Sequence, residues 1–145
     1  MIKKFSNITE SAVSKFKVGL DLHGVIDTLP DFFSFLSDSV VKNGGEVHII
    51  TGGSWTTELE NQIKSYGIIW THKFSVYDYL IERRTDTVGE HTFHDGTVQD
   101  KFPPEIWDRI KADYCEKNDI NLHIDDTLVY NNYFKTPFAR LWSHR

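Results

Sequence analysis

The chain has 145 residues, 39% of them hydrophobic, which suits one globular domain with an ordinary core. Its formal net charge of −5 disfavours general nucleic-acid binding, which usually needs a basic excess. The single cysteine, Cys115, excludes an intramolecular disulfide and fits a reducing compartment. The sequence contains no apolar run long enough for a membrane span and no signal-peptide pattern, so we expect a soluble, cytoplasmic protein.

The first half of the chain alternates short apolar runs with segments of helical periodicity. Apolar runs bounded by turn residues are typical of buried strands, and apolar residues three and four apart indicate one face of a helix. In chain order these patterns predict a helix over 7–15, a strand over 17–22, a helix over 30–43, a strand over 46–51 and a helix over 54–67. Ser54 is a suitable N-terminal cap for the last helix.

The second half of the chain is less regular. Its patterns predict a strand with a loop over 68–78, one or two helical turns over 79–84, a hairpin over 90–100, a helix over 103–118 and strands over 120–125 and 138–143. The dipeptide Asp95-Gly96 marks the turn of the hairpin.

Alternating strands and helices favour βαβ units, so we expect the α/β fold class, with a mostly parallel sheet and helices on both faces. Residues 1–145 are expected to form a single domain, with a small lid or hairpin insertion over 67–100. Three predicted strands end in polar residues, which are Asp21, Thr51 and the pair Asp125-Asp126. Because ligands bind outside the carboxyl ends of parallel strands, we expect these residues to meet in one crevice.

Several carboxylates at one crevice repel one another, and a bound cation relieves that repulsion. Oxygen ligands favour a hard cation such as Mg²⁺, which keeps several waters and shares its remaining positions with a phosphate. The turn at Thr51 and Gly52 offers a hydroxyl and free amides at a predicted helix N-terminus, and such groups suit an anionic oxygen. The expected partners are therefore Mg²⁺ and a small phosphorylated molecule.

Four short motifs, in this order, resemble the haloacid dehalogenase (HAD) superfamily. "DLHGV" (21–25) stands where that family has D-x-D-G-[TV], and "HIITGG" (48–53) resembles its strand ending in Thr or Ser. Lys101 is the best match to its lysine before a helix, and "LHIDDT" (122–127) resembles its strand ending in paired acids. The resemblance implies a Rossmann-like HAD fold with a minimal cap.

The resemblance also implies a role for each matched residue. Asp21 would be the nucleophile that forms an aspartyl-phosphate. Lys101 would neutralise the charge shared by Asp21 and the phosphate, with Lys111 and Lys73 as alternatives. The phosphoryl group would be bound by Thr51, Gly52 and Lys101, and Mg²⁺ by the carboxylates of Asp21, Asp125 and Asp126 and the backbone carbonyl of His23.

One position departs from the family pattern. His23 stands where family phosphatases have the aspartate that protonates the leaving oxygen and then activates water. An imidazole can do both, because its unperturbed pKa of about 6.5 suits neutral pH. The competing hypothesis is that the change removes efficient hydrolysis. Asp27 is expected in a helix-capping or surface role.

The predicted function is Mg²⁺-dependent hydrolysis of phosphomonoesters, with nucleotides among the candidate substrates. A catalytically weak or inactive phosphate-binding protein and a HAD phosphotransferase are the alternatives. The seven histidines also raise a zinc alternative, through His91, His94, Cys115 and His123. The chain has no CxxC or HExxH spacing, so solvated histidines are favoured.

Overall fold

The computed structural model describes residues 15–142, so the helix predicted over 7–15 lies, except for its last residue, outside the described residues. The strands are β1 (Lys17–Leu20), β2 (Glu46–Thr51), β3 (His72–Ser75), β4 (Gly89–Thr92), β5 (Val98–Lys101), β6 (Leu122–Asp125) and β7 (Phe138–Arg140). Five of them form one fully parallel sheet in the order β3-β2-β1-β6-β7. The α/β class with a parallel central sheet is thus confirmed.

The α-helices are α1 (Pro30–Lys42), α2 (Thr57–Ser65), α3 (Val76–Glu82) and α4 (Pro104–Lys117), and a 3-10 helix spans Leu128–Tyr133. Helix α2 begins later than predicted, because Ser54 Oγ donates to Asp78 Oδ1 at 2.6 Å and does not cap the helix. The cap is Thr56, whose Oγ1 accepts the Leu59 N–H. Within residues 15–142, no helix combines the length and apolar character that a membrane span needs.

The helices cover both faces of the sheet, as predicted. On one face, β1 and β2 pack against α1 and α2 through a buried cluster that includes Leu20, Ile49, Phe33 and Ile63. On the other face, Ile50 of β2 packs against Cys115 of α4. Successive residues of a strand point to opposite faces, so Ile49 and Ile50 belong to different layers.

The region after α2 contains the predicted strand and helical turns, but the helix begins at Val76, earlier than predicted. Strand β3 runs directly into α3, because Ser75 Oγ accepts the Asp78 N–H at 3.0 Å and so caps the helix. The same hydroxyl donates to Gly53 O at 2.7 Å, which ties β3 to the turn after β2. The predicted hairpin is present as the antiparallel pair β4-β5, with Gly96 at positive φ in its turn.

The strand order creates a crevice at the centre of the sheet. From β1 the chain builds outward through β2 and β3, and then returns to the other side of β1 to add β6 and β7. The winding direction therefore reverses between β1 and β6. In open parallel sheets such a switch point leaves a crevice at the carboxyl ends of the two strands, where ligands bind.

Candidate active site

Asp21 lies at the switch point because β1 ends there. Its N–H donates to Ile124 O of β6 at 3.0 Å. This hydrogen bond extends the pairing of β1 with β6 by one residue and fixes the backbone position of Asp21. Its Oδ1 accepts the Leu22 N–H at 2.9 Å, which holds the carboxylate at the start of the following turn. The residue is 7% exposed, so a charged group sits at the edge of the core with limited access to water.

Asp126 reaches Asp21 because the turn after β1 contains a glycine. Gly24 has φ +83°, and a Cβ built on it would collide with the Asp126 carboxylate. The Gly24 N–H donates to Asp27 Oδ1 at 2.7 Å, so the Asp27 side chain closes this turn, whereas the N-terminus of α1 has no side-chain cap. The absence of a side chain at position 24 therefore lets the two loops pack against each other.

Three carboxylates meet at the crevice as the sequence predicts. One oxygen from each of Asp21, Asp125 and Asp126 lies within 4.8 Å of the others. Asp125 is fully buried at the end of β6, and its Oδ1 accepts the Thr127 N–H at 3.1 Å. An all-oxygen set of this kind fits a hard divalent cation such as Mg²⁺.

Lys111 is the cation that the structure places among these carboxylates. Its Nζ lies 2.8 Å from Asp125 Oδ2 and 3.1 Å from Asp21 Oδ1. The residue is on the third turn of α4, is only 3% exposed, and has the Tyr130 ring 5.1 Å from its ammonium. A lysine is rarely buried without a partner, and here two carboxylates supply the opposite charge.

Lys101, the sequence-predicted lysine, occupies a different place, and this prediction is corrected. It is exposed on β5 of the hairpin, where it pairs with Gly89. It lines a cavity of about 290 Å³ whose walls include Tyr77, Phe93, Phe102 and Trp107. Lys73 is also elsewhere, with its Nζ 5.0 Å from the Trp55 ring centre and 3.5 Å from Glu60. The sequence pattern favours a lysine just before α4. The lysine that contacts the carboxylates lies instead on the third turn of that helix.

The charges in the crevice affect one another strongly. Burial raises the pKa of Asp21 from 3.8 to about 7, while Lys111 opposes that rise and Asp125 adds to it. Burial also acts to raise the pKa of Asp125, but hydrogen bonding from His123 and the charge of Lys111 outweigh it and hold that pKa well below its usual range. Without a bound cation, Asp21 is therefore the carboxyl that takes up a proton near neutral pH.

His123 is a site residue that the sequence analysis did not assign. It is fully buried on β6, and its Nε2 lies 2.9 Å from Asp125 Oδ2. Burial lowers its pKa, so the neutral ring donates its Nε2 hydrogen to the carboxylate. The available signal was spacing, because residues two apart on a strand share a face, which puts His123 beside Asp125.

His23 lies in the turn that follows Asp21. Its side chain is 66% exposed, and its Nδ1 lies 3.3 Å from Asp27 Oδ2. Asp27 therefore contacts both the imidazole and the Gly24 amide, and it holds the ring next to the turn. The same carboxylate supplies an acceptor that orients the imidazole, as histidine ligands and bases commonly require.

Thr51 and Gly52 lie where the sequence predicts, at the carboxyl end of β2. Thr51 is buried and pairs with Ser75 of β3, and Gly52 O accepts the Tyr77 N–H at 3.0 Å. A Cβ on Gly52 would lie 3.2 Å from Trp107 Cζ2, so the turn packs closely against α4. Trp107 Nε1 in turn donates to Tyr130 Oη at 3.2 Å, above Lys111.

Comparisons with protein-family models, with curated proteins and with solved structures each found no match to this chain. The class of protein is therefore defined by fold and site alone. It is an α/β protein whose parallel sheet carries, at its switch point, a group of three carboxylates, two of which contact one buried lysine.

Proposed function

We propose that the protein is a Mg²⁺-dependent phosphomonoesterase that acts through an aspartyl-phosphate on Asp21. The observation that carries the proposal is the group of Asp21, Asp125 and Asp126 at the switch point of the sheet, with the Lys111 ammonium in contact with the first two. The order of the four HAD-like motifs supports it, with Lys111 in the place given above to Lys101. A HAD-type fold and a cytoplasmic location are part of the same proposal.

The charge balance supports a divalent cation at this site. When all three carboxylates are ionised, the single ammonium leaves a formal excess of two negative charges at the crevice. Asp21, Asp125 and Asp126 would hold Mg²⁺, with the backbone carbonyl of His23 as a further oxygen ligand. The bound ion would neutralise charge on the phosphoryl oxygens during transfer.

In the proposed reaction, an Asp21 carboxylate oxygen attacks phosphorus and the ester P–O bond breaks. Lys111 holds Asp21 in position and stabilises the negative charge shared with the phosphoryl group. The leaving oxygen takes a proton from His23, which is positioned by Asp27. Water then attacks the aspartyl-phosphate, His23 accepts its proton, and inorganic phosphate leaves with Asp21 restored.

The substrates proposed are small phosphomonoesters, nucleotides included. Trp107 joins the two regions that such a substrate would touch, because it packs on the Gly52 turn and also lines the aromatic cavity with Lys101. A planar leaving group fits aromatic walls of this kind.

The direct test is release of inorganic phosphate from p-nitrophenyl phosphate and from a panel of nucleoside monophosphates. We expect turnover with Mg²⁺ and none with EDTA, because the carboxylates alone repel the phosphate. Equal turnover in EDTA would contradict the metal-dependent mechanism. Product analysis with glycerol as an acceptor alcohol separates hydrolysis from the phosphotransferase alternative.

The exposure of His23 favours a second candidate, a phosphate-binding protein without efficient turnover. A solvent-exposed acid/base exchanges protons with water and does not exclude it from the reaction. Phosphate binding with Mg²⁺ but no turnover of any ester in the panel would support this candidate over the phosphatase.

The substitution His23→Ala separates these two candidates. If His23 is the acid/base, kcat is expected to fall by about 100-fold or more, while Mg²⁺ affinity stays the same because only the backbone carbonyl is a ligand. Steady-state kinetics and Mg²⁺ titration measure the two effects. His94→Ala, in the exposed turn of the hairpin, is the matched control. Wild-type kcat in His23→Ala would place the acid/base elsewhere.

A further inference from the structure

A second cluster of ligand-type side chains lies near the other end of β2. Glu46 and His48 are two residues apart on β2 and so share a face, and His48 is in register with His72 of β3. One nitrogen or oxygen of each lies within 4.8 Å of the others. We propose that Glu46, His48 and His72 form a second metal site, which binds a borderline divalent cation of the Zn²⁺ type.

The spacing of the three groups is close to that of a tetrahedral site. Glu46 Oε1 lies 2.8 Å from His48 Nε2 and 3.8 Å from His72 Nδ1. Ligands at Zn²⁺ distances of about 2.0–2.1 Å on a tetrahedron are about 3.4 Å apart. The two Glu46 contacts differ from this separation by about 0.6 and about 0.4 Å, and side-chain rotation supplies such shifts.

The two imidazoles already face the same side. Their rings stack at 4.1 Å with an interplanar angle of 3°, which the pairing of β2 with β3 imposes. A metal ion binds in the plane of an imidazole ring, so the half-exposed His72 ring must rotate away from the stacked position and from Thr71 Oγ1, 2.8 Å from its Nδ1, to share a cation with His48. That cation would replace the hydrogen bond that Glu46 now accepts from His48.

A neighbouring hydroxyl supports the tautomer that binding needs. His48 Nε2–H donates to Glu46 Oε1, and His48 Nδ1 accepts from Tyr114 Oη, which lies 2.7 Å away on α4; when a cation takes the Nε2 position, the ring hydrogen moves to Nδ1, which then donates to the phenol. Metal-bound histidines usually donate their second ring nitrogen to such a partner.

One side of this cluster is buried in the protein and the other side is exposed to solvent. His48 is buried, while the side chains of Glu46 and His72 are 28% and 48% exposed, so a cation can enter from solvent and keep water in its fourth position. The nearest ammonium, on Lys17, is directed to Asn118 O at 3.5 Å. Two imidazoles favour Zn²⁺ over Mg²⁺, which distinguishes this site from the three carboxylates at the opposite edge.

The test is titration of metal-free protein with Zn²⁺ in excess Mg²⁺, and with Co²⁺ as a spectroscopic probe. We expect one Zn²⁺ per chain and the visible absorption of tetrahedral Co²⁺. His72→Ala removes a half-exposed ligand without touching the core, and it should weaken Zn²⁺ binding at least about tenfold. Glu46→Gln should do the same, and circular dichroism checks that both variants are folded.

Two controls assign the effect to this cluster. His94→Ala removes an exposed histidine of the hairpin turn, and Asp21→Asn alters the carboxylate crevice, so both should bind Zn²⁺ as wild type does. The proposal is overturned if wild type binds no Zn²⁺, or if His72→Ala binds it with unchanged affinity. It is also overturned if Asp21→Asn is the variant that loses the ion. None of these outcomes depends on phosphatase activity.

Discussion

Replacing Lys111 with methionine is expected to abolish phosphate release and to lower the free energy of unfolding by about 3–5 kcal/mol. Lys111→Met keeps most of the side-chain volume but leaves Asp21 and Asp125 buried without their common counter-ion. Removing one partner of a buried ion pair destabilises strongly, because the other charge stays out of water. Urea denaturation in EDTA and steady-state turnover with Mg²⁺ measure the two effects.

Lys101→Met is the matched control for this substitution. Lys101 is exposed on β5, so its replacement should change the free energy of unfolding by no more than about 0.5 kcal/mol. Comparing the two variants tests directly which lysine is the counter-ion of the buried carboxylates. A Lys111→Met protein as stable and active as wild type would contradict the site described here, and loss of turnover on all substrates in Lys101→Met would restore the sequence-based assignment.

The substitution Asp21→Asn is expected to abolish turnover and, in the metal-free protein, to raise stability at neutral pH. Turnover is lost because an amide does not form the acyl-phosphate. The folded protein binds the Asp21 proton more tightly than the unfolded chain, since its pKa rises from 3.8 to about 7. The stabilisation from this carboxyl is therefore complete below pH 3.8 and is lost as the pH rises to about 7.

Chemical denaturation in EDTA at pH 5 and pH 7.5 measures this effect. The stability of Asp21→Asn relative to wild type should grow with pH in this window, by up to about 1.4 kcal/mol per unit. Asp86→Asn, at an exposed carboxylate, is the control and should show no such trend. A stability difference that does not change with pH would contradict the buried, protonated state of Asp21, and full turnover in Asp21→Asn would contradict its role as nucleophile.

The sequence by itself predicted the sheet and the ends of its central strands. Apolar runs that end in Asp21, Thr51 and Asp125 are local patterns, and parallel strands bring their carboxyl ends to one edge whatever the details of packing. The same reasoning placed Asp126 correctly. Such features depend on neighbouring residues along the chain, so one sequence is enough to recognise them.

The tertiary structure decided which cation and which histidines join these carboxylates. Lys111 lies on the buried face of α4 together with Cys115, but a lysine in a helical pattern is ordinarily assigned to solvent. His123 joins the site through β6, and His48 meets His72 only because β2 and β3 pair in one particular register. Helix rotation and strand register bring together residues far apart in the chain, and the sequence pattern does not encode either directly.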